Sequence, residues 1–250
     1  MQMCDCLKEH EHGFKLRSKV PCLSHWKDFI LIHTSIKMAV PSKKKPHRFF
    51  KSCIQCCLTK CILLFFFRLG AATLFAATEA RSCFPCFDEP NFKAIFALEV
   101  TVDQNLLVIS NMPVMDSEKI NSKRKDTFEW SKEMSTYLVC IVIGQYDFIQ
   151  TKANNRTLIR VFTPHGQREQ GKFCLEVAKK SLEFFNQYFG KRYPLPKLDL
   201  VALNRLSVGA MENWGLITCR ENAMIVDPND SSPSTLRKVS TYICFKTPAI

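Results

Sequence analysis

The sequence lacks a recognisable secretory leader, because its first 20 residues are polar and charged. We therefore expect no signal peptide.

The cysteines number 13, which is odd, and seven of them lie in the first 70 residues. An odd total without a leader argues against a framework of disulfides and favours a reducing compartment. We predict a cytoplasmic location.

The sequence also lacks a long uninterrupted apolar run. The most apolar segment, Cys61–Phe67, is stopped by Arg68. A bilayer needs about 20 mostly apolar residues, and a central arginine costs about 2.5–3.5 kcal/mol on insertion scales. We expect no membrane helix, and membrane association through Cys61–Ala77 is the alternative.

Charge is unevenly distributed along the chain. Of the net charge of +12, residues 1–70 carry +9, from 13 Lys/Arg and 4 Asp/Glu, and residues 71–250 carry +3, from 22 and 19. The basic run Lys43–Arg48 is not embedded in an aromatic-interleaved binding fold. We expect no nucleic-acid partner, and we leave residues 1–70 as an unassigned basic, Cys-rich segment.

From Ala71 the pattern becomes β-rich and then helical. Apolar alternation predicts a strand through Phe96–Val102. Further strands are predicted at Leu107–Ile109, Tyr137–Ile143, Leu158–Phe162, Leu198–Leu203, Leu216–Thr218 and Ala223–Val226, and a surface loop with a short strand at Phe128–Trp130 is predicted over Met115–Ser131.

A helical stripe of apolar residues predicts a helix over Gln167–Phe189 that ends at Gly190. The stripe consists of Cys174, Val177, Ala178, Leu182, Phe185, Tyr188 and Phe189. Ser234 is a candidate cap for a second helix.

The stretch Val208–Gly215 carries the most suggestive chemistry. Gly209 and Ala210 allow another backbone to come close. Glu212 could fix a cationic group at the end of that backbone, and Asn213 can both donate and accept hydrogen bonds. A strand end followed by a tight turn, with Glu212 solvated and a core tryptophan, is the simpler reading of the octet taken alone, so both remain open.

Two separate stretches carry a family resemblance in combination. Phe84–Pro90 is followed about 120 residues later by Gly209–Gly215. Between them lie three further matching stretches, Met134–Leu138, Gly144–Phe148 and Tyr193–Lys197. In this order and spacing the chain resembles the zinc-dependent aminopeptidases of the gluzincin type, from roughly Ala71 to Ser234.

The resemblance implies a mixed fold, β followed by α+β. Residues 71–153 would form part of a saddle-like β-sandwich, and residues 154–234 would begin a thermolysin-like catalytic domain. The boundary would fall near Thr151–Thr157. Residues 235–250 would be a divergent tail.

The resemblance also implies a substrate site on one strand. Gly209, Ala210, Met211, Glu212 and Asn213 would bind the substrate, with Glu212 holding the α-amine of a peptide that has a free N-terminus. A charge-assisted ammonium–carboxylate bond of this kind sets the register of an exopeptidase. Zinc would be the cofactor, supplying activated water for hydrolysis.

The departures from the family pattern concern the catalyst. The family needs an H-E-x-x-H helix, but no such motif occurs among the 250 residues, and Thr235–Phe245 contains neither His nor Glu. Relatives commonly place a second amine-binding Glu where this sequence has Ala76. We assign no catalytic or metal-ligating residue, and expect this chain alone to be inactive. Two alternatives are an inactive module that binds peptide N-termini and a truncated gene product.

Overall fold

The computed structural model describes residues 33–39, 49–53, 62–64, 70–227 and 230–247. The basic run Lys43–Arg48 and most of the apolar segment Cys61–Phe67 lie outside these residues. Among the described residues, no helix is both long and apolar enough to cross a bilayer.

Strands predominate in the chain before the first long helix. The strands are β1 (His33–Ala39), β2 (Phe49–Cys53), β3 (Ile62–Leu64), β4 (Gly70–Thr73), β5 (Ile95–Asp103), β6 (Leu107–Ser110), β7 (Val114–Ile120), β8 (Lys123–Phe128), β9 (Ile141–Gly144), β10 (Tyr146–Ala153), β11 (Thr157–Pro164), β12 (Lys197–Leu203), β13 (Ala210–Asn213) and β14 (Leu216–Arg220). The α-helices are α1 (Lys172–Tyr188) and α2 (Pro233–Lys246).

The first sheet has the order β2-β1-β5-β8-β7. Strand β5 confirms the strand predicted from the alternation at Phe96–Val102. Strand β1 pairs with it antiparallel, from His33 opposite Thr101 to Ala39 opposite Ile95. The N-terminal segment thus contributes β1 and β2 to this sheet, although its sequence shows no sustained period.

A β-hairpin stands where the sequence predicted a surface loop. Strands β7 and β8 pair antiparallel from Val114 to Ile120, with a bulge near the start. Asn121, at φ 55°, turns the chain between them, and asparagine tolerates this left-handed region. All seven residues of β7 are exposed. The loop prediction over Met115–Ser131 was wrong because neither face of β7 is apolar.

The second sheet has the order β3-β4-β9-β6. Strand β6 confirms the predicted strand at Leu107–Ile109. The prediction at Tyr137–Ile143 was only partly right, because Thr136–Leu138 forms a 3-10 turn and the strand begins at Ile141.

The third sheet has the order β10-β11-β12-β14-β13. Strands β11, β12 and β14 run parallel and confirm three predicted strands. Helices α1 and α2 share one apolar core with this sheet, built around residues such as Cys174, Leu200, Ile217 and Ile243. The fold is mixed β followed by α+β, as predicted.

The helix predictions were right in kind and less accurate at their edges. Helix α1 begins at Lys172 after a 3-10 turn, and Gly190 follows it at φ +60°. Tyr188 is 71% exposed and Phe189 is 55% exposed, so the C-terminal end of the apolar stripe does not face the core. Within the helix, the buried residues of the stripe are Cys174, Ala178 and Leu182.

Two predictions near the C-terminus were wrong. The apolar run Ala223–Val226 is not a strand, since Glu221–Ala223 forms a 3-10 turn and the next residues are irregular. The cap of α2 is Ser232 instead of Ser234, and its side chain accepts a hydrogen bond from the Thr235 amide.

The described residues group into two compact units. One contains Thr73–Val108, Val114–Val139 and the described residues up to Ile62. The other contains Leu63–Ala72, Ile109–Pro113 and the residues from Cys140 onward, as far as they are described. The hairpin of β10 and β11 spans the expected boundary near Thr151–Thr157. The domain ranges given above remain predictions.

Candidate functional site

The octet Val208–Gly215 contains β13, the edge strand of the third sheet. Strand β13 pairs antiparallel with β14, with Ala210 opposite Cys219 and Asn213 opposite Leu216. Edge strands present unpaired backbone groups on their outer side. The arrangement can therefore accept an additional extended segment.

The side chains of β13 differ in their access to solvent. Met211 is 6% exposed and Asn213 is 1% exposed, whereas Glu212 keeps 27% of its side-chain exposure. The Asn213 amide donates to Thr218 Oγ1 over 3.4 Å, and its Oδ1 has no hydrogen-bond partner among the described residues. Of the acidic and amide groups predicted for the site, Glu212 is the one at the surface, and the binding roles of Met211 and Asn213 stay predictions.

The start of the octet is fixed by Arg220 at the end of β14. The Arg220 guanidinium donates to the carbonyl oxygens of Leu206, at 2.7 Å, and Ser207, at 2.8 Å. The Arg220 amide donates to the Gly209 carbonyl at 3.0 Å. These bonds hold the loop against the sheet as it enters β13.

The end of the octet is fixed at Gly215. This residue has φ +81°, and a Cβ there would lie 2.2 Å from the Asn111 carbonyl oxygen. The Asn111 amide donates to the Trp214 carbonyl at 2.8 Å. Only glycine fits this turn, because the backbone is left-handed and another backbone touches it.

A buried lysine supports the same turn from inside. Lys197 Nζ donates to the carbonyl oxygens of Ser110 and Gly215 and to Asp199, which lies 2.7 Å away. Arg160 binds the same carboxylate through two 2.7 Å bonds. Burial lowers the pKa of Lys197, and Asp199 opposes that shift. Lys197 and Asp199 are both buried, so this pair fixes the backbone of the turn after β13 from within the core.

Glu212 already has a cationic partner in the structure. The ammonium group of Lys246, in the last turn of α2, donates to Glu212 Oε2. Both side chains are about three-quarters covered, since 26% and 27% of their surfaces remain exposed. Glu212 is therefore paired with a cation and is not the solvated carboxylate of the simpler interpretation.

Helix α2 also covers the backbone before β13. A Cβ on Gly209 would lie 2.7 Å from Tyr242 Cε1 and 2.8 Å from its hydroxyl oxygen. The tyrosine ring therefore packs directly against the Gly209 main chain.

Burial raises the pKa of the neighbouring Cys219 thiol to about 12, which makes this cysteine a poor nucleophile.

Sequence reasoning missed most of the residues that surround the octet. Arg220, Tyr242 and Lys246 belong to no motif, and each acts through contacts with residues distant along the chain. Lys197 ends the matching stretch Tyr193–Lys197, but its place beneath the turn at Gly215 was not predicted. The one available signal was the spacing of Tyr242 and Lys246, because residues four apart in a helix share a face.

The residues that the structure describes do not fit a zinc site. The described residues contain no group of three or more His, Cys, Asp or Glu placed to hold a metal ion. The α2 segment offers no imidazole or carboxylate. His165 is 81% exposed and contacts Asp147, whose pKa is lowered chiefly by the Gly166 amide.

The Phe84–Pro90 stretch lies in the first unit, where Phe84 and Asp88 are buried and Phe87 is exposed. Asp88, 1% exposed, accepts hydrogen bonds from Thr136 Oγ1 and the Arg81 amide. Ser135 Oγ donates to the Pro90 carbonyl. The motif therefore ties two distant segments together. Ala76 lies in the same unit and is exposed.

Comparison with known proteins gives matches to consecutive parts of one peptidase family. Residues 68–138 match the peptidase M1 N-terminal domain, and residues 173–246 match the peptidase family M1 domain. The second match includes β13 and α2.

Several named relatives are similar over most of this chain. It is 48% identical over 173 residues to aminopeptidase M1-B of Oryza sativa subsp. japonica, covering 69% of this chain and 20% of that protein. It is 41% identical over 175 residues to the puromycin-sensitive aminopeptidase of Caenorhabditis elegans, and 39% identical over 173 residues to human glutamyl aminopeptidase, covering 69% of this chain and 18% of each of those proteins.

The chain thus spans about a fifth of the length of these relatives. The match to the M1 N-terminal domain precedes the match to the M1 domain along this chain. The relatives above are all named aminopeptidases. The chain belongs to the M1 family of peptidases.

Proposed function

We propose that β13 is a binding site for the free N-terminus of a peptide, with Glu212 as the anchor of the α-amine. The observation that carries the proposal is that Glu212 holds an ammonium group, that of Lys246, at the edge of the sheet. A protonated α-amine offers the same charge and the same N–H donors. The carboxylate is therefore suited to the group it is proposed to bind.

The surroundings of Glu212 favour an extended ligand. Strand β13 lies at the sheet edge, so a peptide can add main-chain hydrogen bonds there, as in β-augmentation. The cluster around Lys197 and the bonds from Arg220 hold both ends of the octet. A rigid anchor lowers the entropic cost of binding.

We further propose that this chain, as these 250 residues, binds peptides without hydrolysing them. Zinc-activated water is the chemistry implied by the family, but the sequence contains no H-E-x-x-H motif. Among the described residues, no three His, Cys, Asp or Glu side chains are placed to hold a metal ion. Peptides with a free N-terminus are the proposed ligands, and a cytoplasmic location is proposed with them.

Calorimetry tests the anchor. Tetra-alanine should bind more tightly than its N-acetylated twin, and Glu212→Gln should abolish that preference while leaving the fold intact by circular dichroism. Glu221→Gln, a carboxylate change just after β14, is the matched control and should retain the preference. Equal affinity for both peptides in the unaltered chain and in a Lys246→Met variant would remove the amine-anchor function.

A separate assay tests the absence of hydrolysis. Purified protein incubated with zinc should release no chromophore from an alanine p-nitroanilide substrate. One tightly bound zinc per chain together with turnover would overturn this part of the proposal and leave the binding part untouched.

A further inference from the structure

Two side chains of α2 contact the proposed binding site, one on β13 and one just before it. Tyr242 packs on Gly209, and Lys246 pairs with Glu212. The two α2 residues are four apart, so they lie on one face of the helix. Gly209 and Glu212 are the backbone and carboxylate positions at which a peptide would be held.

The lysine supplies the chemistry that the proposed ligand would supply. Its ammonium is a cationic group with three N–H donors, as is a protonated α-amine. The tyrosine ring, for its part, occupies the space beside the Gly209 main chain. A peptide cannot reach both positions while the two contacts are made.

We propose that α2 is an intramolecular competitor for this site, with Lys246 standing in for the peptide amine. The inference rests on the proposed function, since it takes Glu212 as the amine anchor. Binding of a peptide then requires Lys246 to leave Glu212. The contact thus controls access to the anchor and makes the chain autoinhibited.

The expected size of the effect follows from populations. Apparent affinity falls by the fraction of molecules in which the site is open. If the contact is closed in about nine-tenths of molecules, the apparent Kd is about tenfold weaker than that of the open site. An ion pair that serves only to support the helix would not change peptide affinity in this way.

The test compares two lysine variants of the full chain. Lys246→Met should bind tetra-alanine about tenfold more tightly than the unaltered chain, with no gain for the N-acetylated twin. Lys238→Met removes the same charge from an exposed position on the same helix and should leave both affinities unchanged. Unchanged thermal midpoints would show that the variants are folded.

The outcomes separate this inference from the proposed function. If the unaltered chain and Lys246→Met show the same preference for the free amine, the anchor stands and the competitor is wrong. If Lys246→Met has no preference for the free amine, the anchor fails and the competitor fails with it. An equal gain in Lys238→Met would attribute the effect to net charge and overturn the inference.

A second measurement reads the contact without any peptide. Acetylation of Lys246 by a succinimidyl ester, followed by mass spectrometry, should be several-fold faster in Glu212→Gln than in the unaltered chain, while Lys238 reacts at the same rate in both. A Lys246 rate that is unaffected by Glu212→Gln would overturn the inference regardless of how peptides bind.

Discussion

At the scale of single residues, Gly215 shows how tightly the turn after β13 is built. Replacing it with Ala should destabilise the protein by about 3 kcal/mol or more, because the residue has φ +81° and the new Cβ would meet a backbone carbonyl at 2.2 Å. Urea unfolding monitored by circular dichroism measures the change.

Gly190→Ala provides the matched comparison. Gly190 also has a positive φ, of +60°, but nothing lies within 4 Å of its would-be Cβ. Only the backbone strain of about 1–2 kcal/mol then applies. Similar losses in the two variants would contradict the close approach described at Gly215.

Lys197 gives a prediction that depends on pH. Lys197→Met leaves two buried carbonyl groups without this donor, so we expect a loss of about 3 kcal/mol near neutral pH. The control is Lys179→Met, which alters a lysine on α1. Equilibrium unfolding should show almost no loss of stability for this variant.

The sign of the pH effect follows from the lowered pKa of Lys197. Between the folded value and 10.5, the unfolded chain holds the proton while the folded chain releases it, so stability rises with pH in that window. The unaltered protein should therefore gain stability relative to Lys197→Met as pH rises toward 10.5. A gap that narrows would contradict the lowered pKa.

The same residues show what the sequence could and could not reveal. The octet and the Tyr193–Lys197 stretch were recognisable because both are local patterns with known spacing. The pairing of Lys246 with Glu212 joins positions 34 residues apart, and no local rule couples them. The pair depends on the packing of α2 against β13, which the sequence does not specify.

At the scale of elements, the beginning of α2 distinguishes two serines. Ser232→Ala should cost about 1 kcal/mol, because Ser232 Oγ accepts from the Thr235 amide at the helix start. Ser234→Ala should cost less, since Ser234 lies inside the helix and alanine favours helix. Thermal unfolding of both variants measures this, and a larger loss for Ser234→Ala would restore the cap predicted from the sequence.

One strand that the sequence did not predict and one that it predicted wrongly have a related physical cause. Strand β7 is exposed along its whole length, so it lacks the apolar alternation by which a strand is recognised. The run Ala223–Val226 is apolar but short, and short apolar runs do not distinguish a strand from a buried turn. Long amphipathic elements such as α1 and β5 were predictable because one face is buried.

At the scale of the whole molecule, the sheet pairing of the N-terminal segment was the least predictable feature. Residues 1–70 have no regular period, yet β1 forms seven residue pairs with β5. Such pairing depends on contacts about 60 residues apart, and sequence patterns alone do not specify them. The family matches begin at residue 68, so they give no guide to β1.

Removal of residues 1–61 tests whether β1 supports the fold. Without β1, one edge of β5 is unpaired and open to association with other chains, and the buried side chain of Ile36 is lost from the core. We expect a thermal midpoint lower by about 5–10 °C and concentration-dependent association in sedimentation. Ile36→Ala in the full chain should lower the midpoint without exposing the edge, and Met115→Ala, at a 63% exposed position on β7, should not lower it. A truncated chain that remains monomeric with an unchanged midpoint would show that β1 contributes nothing to the stability of the first sheet.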